Sequence, residues 1–245
     1  MLMPAQVLFV PEEILFKACP ISQITKSQSY IFLPPSDPTA PTWSEPTKCI
    51  WLPHYSEAKF LLEKYLNDLT HVHHVIHIPS VWQLLEDIYY QLGSANQNVA
   101  NLGPDKVALV LAMLTSAIHS QDIPTANSQA IILTTSTLSV LDHCKSSGPG
   151  SLEEIQAMII LSFVVSHLEG LSRRFWSLFS EAITMARSLG LHLVDDDKRK
   201  LLKSLPAQDS VKAEIGRRVW WYLVASDWFV PPFHVVRQLS GADLT

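Results

Sequence analysis

Four histidines, His71, His73, His74 and His77, crowd one short stretch and are by composition the best metal candidates in the chain. Neutral imidazole binds zinc well, and a His-x-His pair can chelate from extended backbone. No nearby cysteine or carboxylate completes a compact ligand set, so a surface or packing role is the better reading. Asp195, Asp196 and Asp197 offer hard oxygen ligands of the kind an aspartate-rich helix uses to hold magnesium against a diphosphate. The further acid expected four residues on is replaced by Arg199 and Lys200, which points to a solvated loop. The basic triplet at 198–200 is by itself a weak nuclear-localising signal. Cys144 stands beside His143 as a sequence neighbour, not as a nucleophile oriented by a base, and Gly148 and Gly150 merely flank a turn proline. With no G-x-S-x-G elbow, phosphate loop or H-E-x-x-H pair, no constellation nominates an enzyme.

The richest stretch is Glu214–Phe229, EIGRRVWWYLVASDWF, which sets Arg217, Arg218, Trp220, Trp221 and Asp227 within about four turns of helix. Val219 to Trp228 is apolar on nearly every side, the pattern of a helix enclosed by others. Asp227 lies inside that run and needs a cationic or hydrogen-bonding partner, because desolvating an unpaired carboxylate costs several kcal/mol. Arg217 and Arg218 are about two and a half turns away along the same axis, a poor geometry for pairing. Arg187 or His192 from the preceding helix is the better partner. The constellation either fixes helix packing or borders an effector pocket, and spacing does not separate the two.

Seven helices position these residues. Phe60, Leu61, Tyr65, Leu66 and Leu69 recur at three and four residues on a helix starting after Ser56. Ser80 and Gln83 form a capping box ahead of a second, and Pro104 opens a third whose body, Val107 to Ile118, is almost continuously apolar. A fourth covers 128–143. Ser151 and Glu154 cap a fifth, and Ser172 caps a sixth that carries Phe175, Leu178, Phe179, Ala182, Ala186 and Leu189 on one stripe, with Gly190 placed for a left-handed C-terminus. The last runs from about Val211 to Phe229 and is ended by Pro231 and Pro232. No convincing strand is read. The expected architecture is all-α, an irregular bundle over 56–230, preceded by a Pro-rich, partly docked linker at 1–55 and followed by an irregular tail at 231–245. Nine of sixteen prolines fall in residues 1–53.

The whole chain narrows the function further. Its 245 residues are 47% hydrophobic, enough for a sizeable core, and a net charge of −5 provides no general field for phosphates. Cys19, Cys49 and Cys144 are too few and too scattered for a disulfide framework or a six-thiolate zinc cluster. The first residues lack the marks of a secretory signal, and the apolar runs are shorter than the roughly 20 residues that span a bilayer.

Two places carry a family resemblance. The segment YLNDLTHVHHVIHIPSVWQLLEDIYY looks like an opening helix, a short His/Pro linker and a second helix. Ala186, Leu189, Gly190, Leu191 and His192 match A-x-x-LGLH, and Arg217, Arg218, Trp220, Trp221 and Asp227 match RR-x-WW-x5-D. With Arg187, these residues resemble the paired motif of the fungal transcription factor regulatory domain, the middle homology region of zinc-cluster transcription factors. The resemblance covers roughly 56–230. It implies a nuclear location and control of transcription, with DNA contacted only through a zinc-cluster module or partner chain outside this sequence. Zinc is expected in such a module, and no cofactor in this chain. A small-molecule effector, a transcription co-regulator and a second copy of the chain are the partners it leaves open. After Asp227 the sequence VPPFHVVRQLSGADLT departs from the family pattern, which suggests truncation relative to longer relatives. The alternatives are a small all-α enzyme or an interaction module with a His/Asp-lined pocket. If the regulatory reading holds, the purified chain alone shows no tight, sequence-selective DNA binding in a mobility-shift assay.

Overall fold

The computed structural model of the chain describes residues 14–24, 30–31, 47–93, 103–121, 124–194 and 207–229. In chain order the elements are β1 (Ile14–Cys19), α1 (Ile21–Ile24), β2 (Tyr30–Ile31), β3 (Thr47–Pro53), α2 (Tyr55–Asp68), α3 (Thr70–His73), α4 (Ile78–Gly93), α5 (Pro104–His119), α6 (Ala126–Ser147), α7 (Leu152–Glu169) and α8 (Arg173–Ser188). A 3-10 turn, Leu191–Leu193, then leads towards α9 (Ala207–Phe229). All seven expected helices are present and the fold is predominantly helical. The expected tail at 231–245, the acidic run at 195–197 and the basic triplet at 198–200 lie outside the described residues.

The centre is α5. Every residue from Val107 to Ile118 is buried, so this helix has no polar face and must be enclosed. Pro104 occupies its first turn, as its missing N–H allows. The helix packs against α2, α4, α6 and α7. Its embedded hydroxyl on Thr115 donates to the Leu111 carbonyl at 2.6 Å, which satisfies it within the helix. The second inner helix, α7, is buried from Glu154 to Ser162, and the Ser151 hydroxyl caps it by accepting from the Glu154 N–H at 3.1 Å. Buried Gln156 reaches out of α7 to donate its amide to the Val75 carbonyl, tying the α3–α4 connection to the core. In α4 the first turn begins before Ser80, whose hydroxyl bonds His77 Nδ1 at 2.7 Å instead of closing the expected capping box.

The N-terminal segment differs from the sequence reading. Within the expected linker, β1 and β3 pair in parallel from Ile14 opposite Lys48 to Cys19 opposite Pro53, and β2 joins β3 antiparallel, giving the order β1-β3-β2. Phe16, Ile50 and Leu52 are buried in the same core as the helices, and the Tyr89 hydroxyl of α4 donates to the Pro53 carbonyl. Of the nine prolines that suggested irregular structure, Pro20 follows β1 and Pro53 ends β3, where a missing donor does little harm, and the other seven lie outside the described residues. Leu52 is fully enclosed. Leu52→Ala should therefore lower stability by about 2–5 kcal/mol in urea unfolding, whereas a loosely docked linker would give a change within about 0.5 kcal/mol.

Candidate functional site

The two motif segments meet where α8, the 3-10 turn and α9 come together. Ser172 caps α8 by accepting from the Phe175 N–H at 3.3 Å, and Phe175, Leu178, Phe179, Ala182, Ile183 and Ala186 form its buried stripe. Gly190 takes φ 73° and ψ 28°, the left-handed conformation that glycine adopts without a Cβ penalty, and so turns the chain out of α8. Leu191 and His192 are thereby carried to α9. A Cβ built on Gly216 would lie 3.3 Å from Leu191 Cδ2, so a side chain there would require Leu191 to give by a few tenths of an ångström. The His192 ring sits 5.6 Å from the Trp220 ring at 49°. Leu189 is half-buried beside this junction.

The helix α9 is not enclosed on every side. Ile215, Gly216, Val219, Trp220, Leu223, Val224 and Asp227 are buried at three- and four-residue spacing, while Arg218, Trp221 and Ala225 form an exposed stripe, with Trp221 52% accessible. Trp221 thus lies outside the junction that its motif partner Trp220 builds. Arg217 and Arg218 both hold Glu214, the latter at 2.8 Å from Nε. This fork, one turn N-terminal to the arginines, draws the Glu214 carboxyl below its usual range through those hydrogen bonds.

Asp227 is buried, 5% accessible, and Arg187 is the charge that acts on it. Burial raises its carboxyl above the ordinary 3.8, and the attraction of Arg187 offsets only part of that shift. Arg187 is only half-buried, so removing Asp227 strands no desolvated charge. His192, the other candidate partner, is engaged with Trp220 instead.

The four histidines separate. His71 and His74 are exposed, His77 bonds Ser80, and His73 is buried. The His73 ring lies 5.2 Å from Phe163, 5.8 Å from Tyr222 and 6.5 Å from Tyr65. Its Nδ1 is 3.5 Å from the Tyr65 hydroxyl, and its Nε2 has no hydrogen-bond partner among the described residues. Burial, assisted by the charges of His71 and His74, pushes its pKa down to about 4, so it is neutral at physiological pH. No group of three or more His, Cys, Asp or Glu among the described residues is arranged to hold a metal. Cys144 is buried, and its thiol is pushed up to about 12 by burial first and by Glu154 and Asp105 second, which makes it a poor nucleophile.

Phe163 and Tyr222, which His73 touches, also line a cleft of about 310 Å³ that opens between three helices. Ser162, Phe163 and Ser166 line it from α7, Phe175 and Phe179 from α8, and Tyr222, Ala225 and Ser226 from α9. Neither this cleft nor Gly216 was identified from the motif residues. The one available signal was a glycine inside an otherwise strong helix, which marks close approach of another element.

Because the Asp227 pKa is raised by folding, its contribution to stability is fully present below the unfolded value near 3.8 and is lost as pH rises through the folded value. Asp227→Asn should therefore change stability at pH 7 by less than about 1 kcal/mol and remove that pH dependence. A double-mutant cycle with Arg187→Gln should show coupling below about 1 kcal/mol; coupling of about 3–5 kcal/mol would indicate a dominant buried pair.

Residues 62–230 match the fungal specific transcription factor domain. The chain is 39% identical over 193 residues to the probable transcription factor lepB of Aspergillus flavus, covering 74% of this chain and 34% of that protein. It is 28% identical to the transcription factor TAS2 of Pyricularia oryzae, over 74% of this chain and 24% of the relative. It is 24% identical to the agnestins biosynthesis cluster transcription factor AgnL11 of Paecilomyces divaricatus, over 73% and 27%. The chain thus spans about a third or less of the length of these relatives. No solved structure matches it. With the match extending across the helical core and through both motif segments, the chain belongs to the fungal specific transcription factor domain family.

Proposed function

We propose that this chain is the regulatory part of a transcription regulator and works in the nucleus, without catalytic activity of its own. DNA is reached through a zinc-cluster module or a partner chain, and zinc belongs to that module. The family match through residues 62–230 is the observation that carries this reading, and all three relatives are named as transcription factors. The geometry supports it in one further respect. The two motif segments meet at a single packed junction, Leu191 on Gly216 and His192 on Trp220, and α8 and α9 continue from it to form two walls of a cleft. A co-regulator, a small effector or a second copy of the chain would act by biasing how these helices pack.

The test is a fusion of the whole chain to an unrelated DNA-binding domain, assayed on a nuclear reporter carrying that domain's site. The fusion should raise or lower reporter output relative to the DNA-binding domain alone, and Gly216→Val, which forces a side chain against Leu191, should cancel the effect at equal protein level. Output indistinguishable from the DNA-binding domain alone would overturn the regulatory reading.

A further inference from the structure

We propose that the cleft between α7, α8 and α9 binds an uncharged, planar aromatic molecule with a small neutral polar group at its edge. That such a molecule is the effector of the domain rests on the regulatory reading above; that it binds does not.

Size sets the class of occupant. A volume of about 310 Å³ stands at the lower end of small-molecule sites, which run from roughly 300 to 1,000 Å³. An amphipathic helix, roughly 10–12 Å across with its side chains, does not fit. The walls set the shape. Phe163, Phe175, Phe179 and Tyr222 offer aromatic surface from three different helices, which favours a flat, apolar body that stacks or meets ring edges.

Charge is excluded by the lining. None of the described residues lining the cleft is ionised at neutral pH, so among them a carboxylate, sulfonate or ammonium would lose hydration without gaining a counter-charge. The hydroxyls specify the polar edge. Ser162 and Ser166 each donate their proton to a carbonyl of their own helix, Ile159 and Phe163, at 2.7 Å. Their remaining lone pairs are acceptors and the Tyr222 hydroxyl on the opposite wall can donate, so the complementary group is a small neutral one that hydrogen-bonds in either sense.

A second, independent observation lies against the cleft wall. His73, 2% accessible and in ring contact with the wall residues Phe163 and Tyr222, keeps Nε2 without a hydrogen-bond partner among the described residues. An unpaired buried polar atom costs about 1–3 kcal/mol, and natural cores hold few of them.

The probe is N-phenyl-1-naphthylamine, uncharged and carrying one N–H, titrated into the full chain and followed by its fluorescence. Its anionic counterpart, 1-anilinonaphthalene-8-sulfonate, has the same rings with a sulfonate added. The amine should saturate at one per chain and bind about tenfold or more tightly than the sulfonate. Ala225→Trp fills the cleft from an exposed position on α9, and Ser166→Phe fills it from α7. Both should weaken the amine about tenfold or more, with the thermal unfolding transition unmoved in at least one of them. Non-saturating binding, equal affinity for the two probes, or full affinity retained in both variants would overturn the proposal. Absent binding beside an intact reporter response would remove the cleft assignment and leave the regulatory reading standing.

Discussion

A helix with no polar side cannot rest on a surface, and α5 is such a helix. Because Val107 to Ile118 is buried throughout, other elements must cover it all the way round, and α2, α4, α6 and α7 do so. Their own apolar stripes are set by that demand, and α7, almost as deeply buried, passes it on to α8 and α9. Each fully enclosed leucine or isoleucine contributes about 1.5–3 kcal/mol, so this centre outweighs any surface ion pair, worth about 0–1 kcal/mol. The motif segments lie in the outermost of these shells. They have a rigid backing on one side and solvent on the other.

The polar groups of the core are arranged around that backing. Thr115 is satisfied inside its helix, and Gln156 links α7 to the connection before α4. Asp227 and Arg187 differ from these, since burial outweighs attraction at the carboxyl. His73 Nε2 is one of several buried polar atoms without a hydrogen-bond partner among the described residues, and its ring meets two wall residues of the aromatic cleft.

Much of this was legible in the chain itself. Apolar periodicity located the seven long helices, the caps at Ser151 and Ser172 are present, and Gly190 adopts the left-handed turn that its place after an apolar stripe implied. The strands were not legible, because the pairing of Ile14–Cys19 with Thr47–Pro53 is a long-range contact to which local composition is blind. Trp221 was read as enclosed from hydropathy alone. The angular position it shares with Arg218, three residues earlier, placed it on the outer face. The cleft was illegible in principle, since it is assembled by side chains from three separate helices. So was the burial of His73 beside exposed His71 and His74.

Gly216 has a consequence for how the parts of this region hold together. A glycine inside a helix costs about 1 kcal/mol relative to alanine, because the unfolded chain has more backbone freedom to lose there. The helix α9 is therefore intrinsically weaker at the point where Leu191 sits on it, and its closeness to the turn is gained at the expense of its autonomy. Helices of this length draw most of their stability from tertiary packing. The middle of α9, around Gly216, thus leans on the LGLH turn for its packing, and that contact ties the two motif halves together.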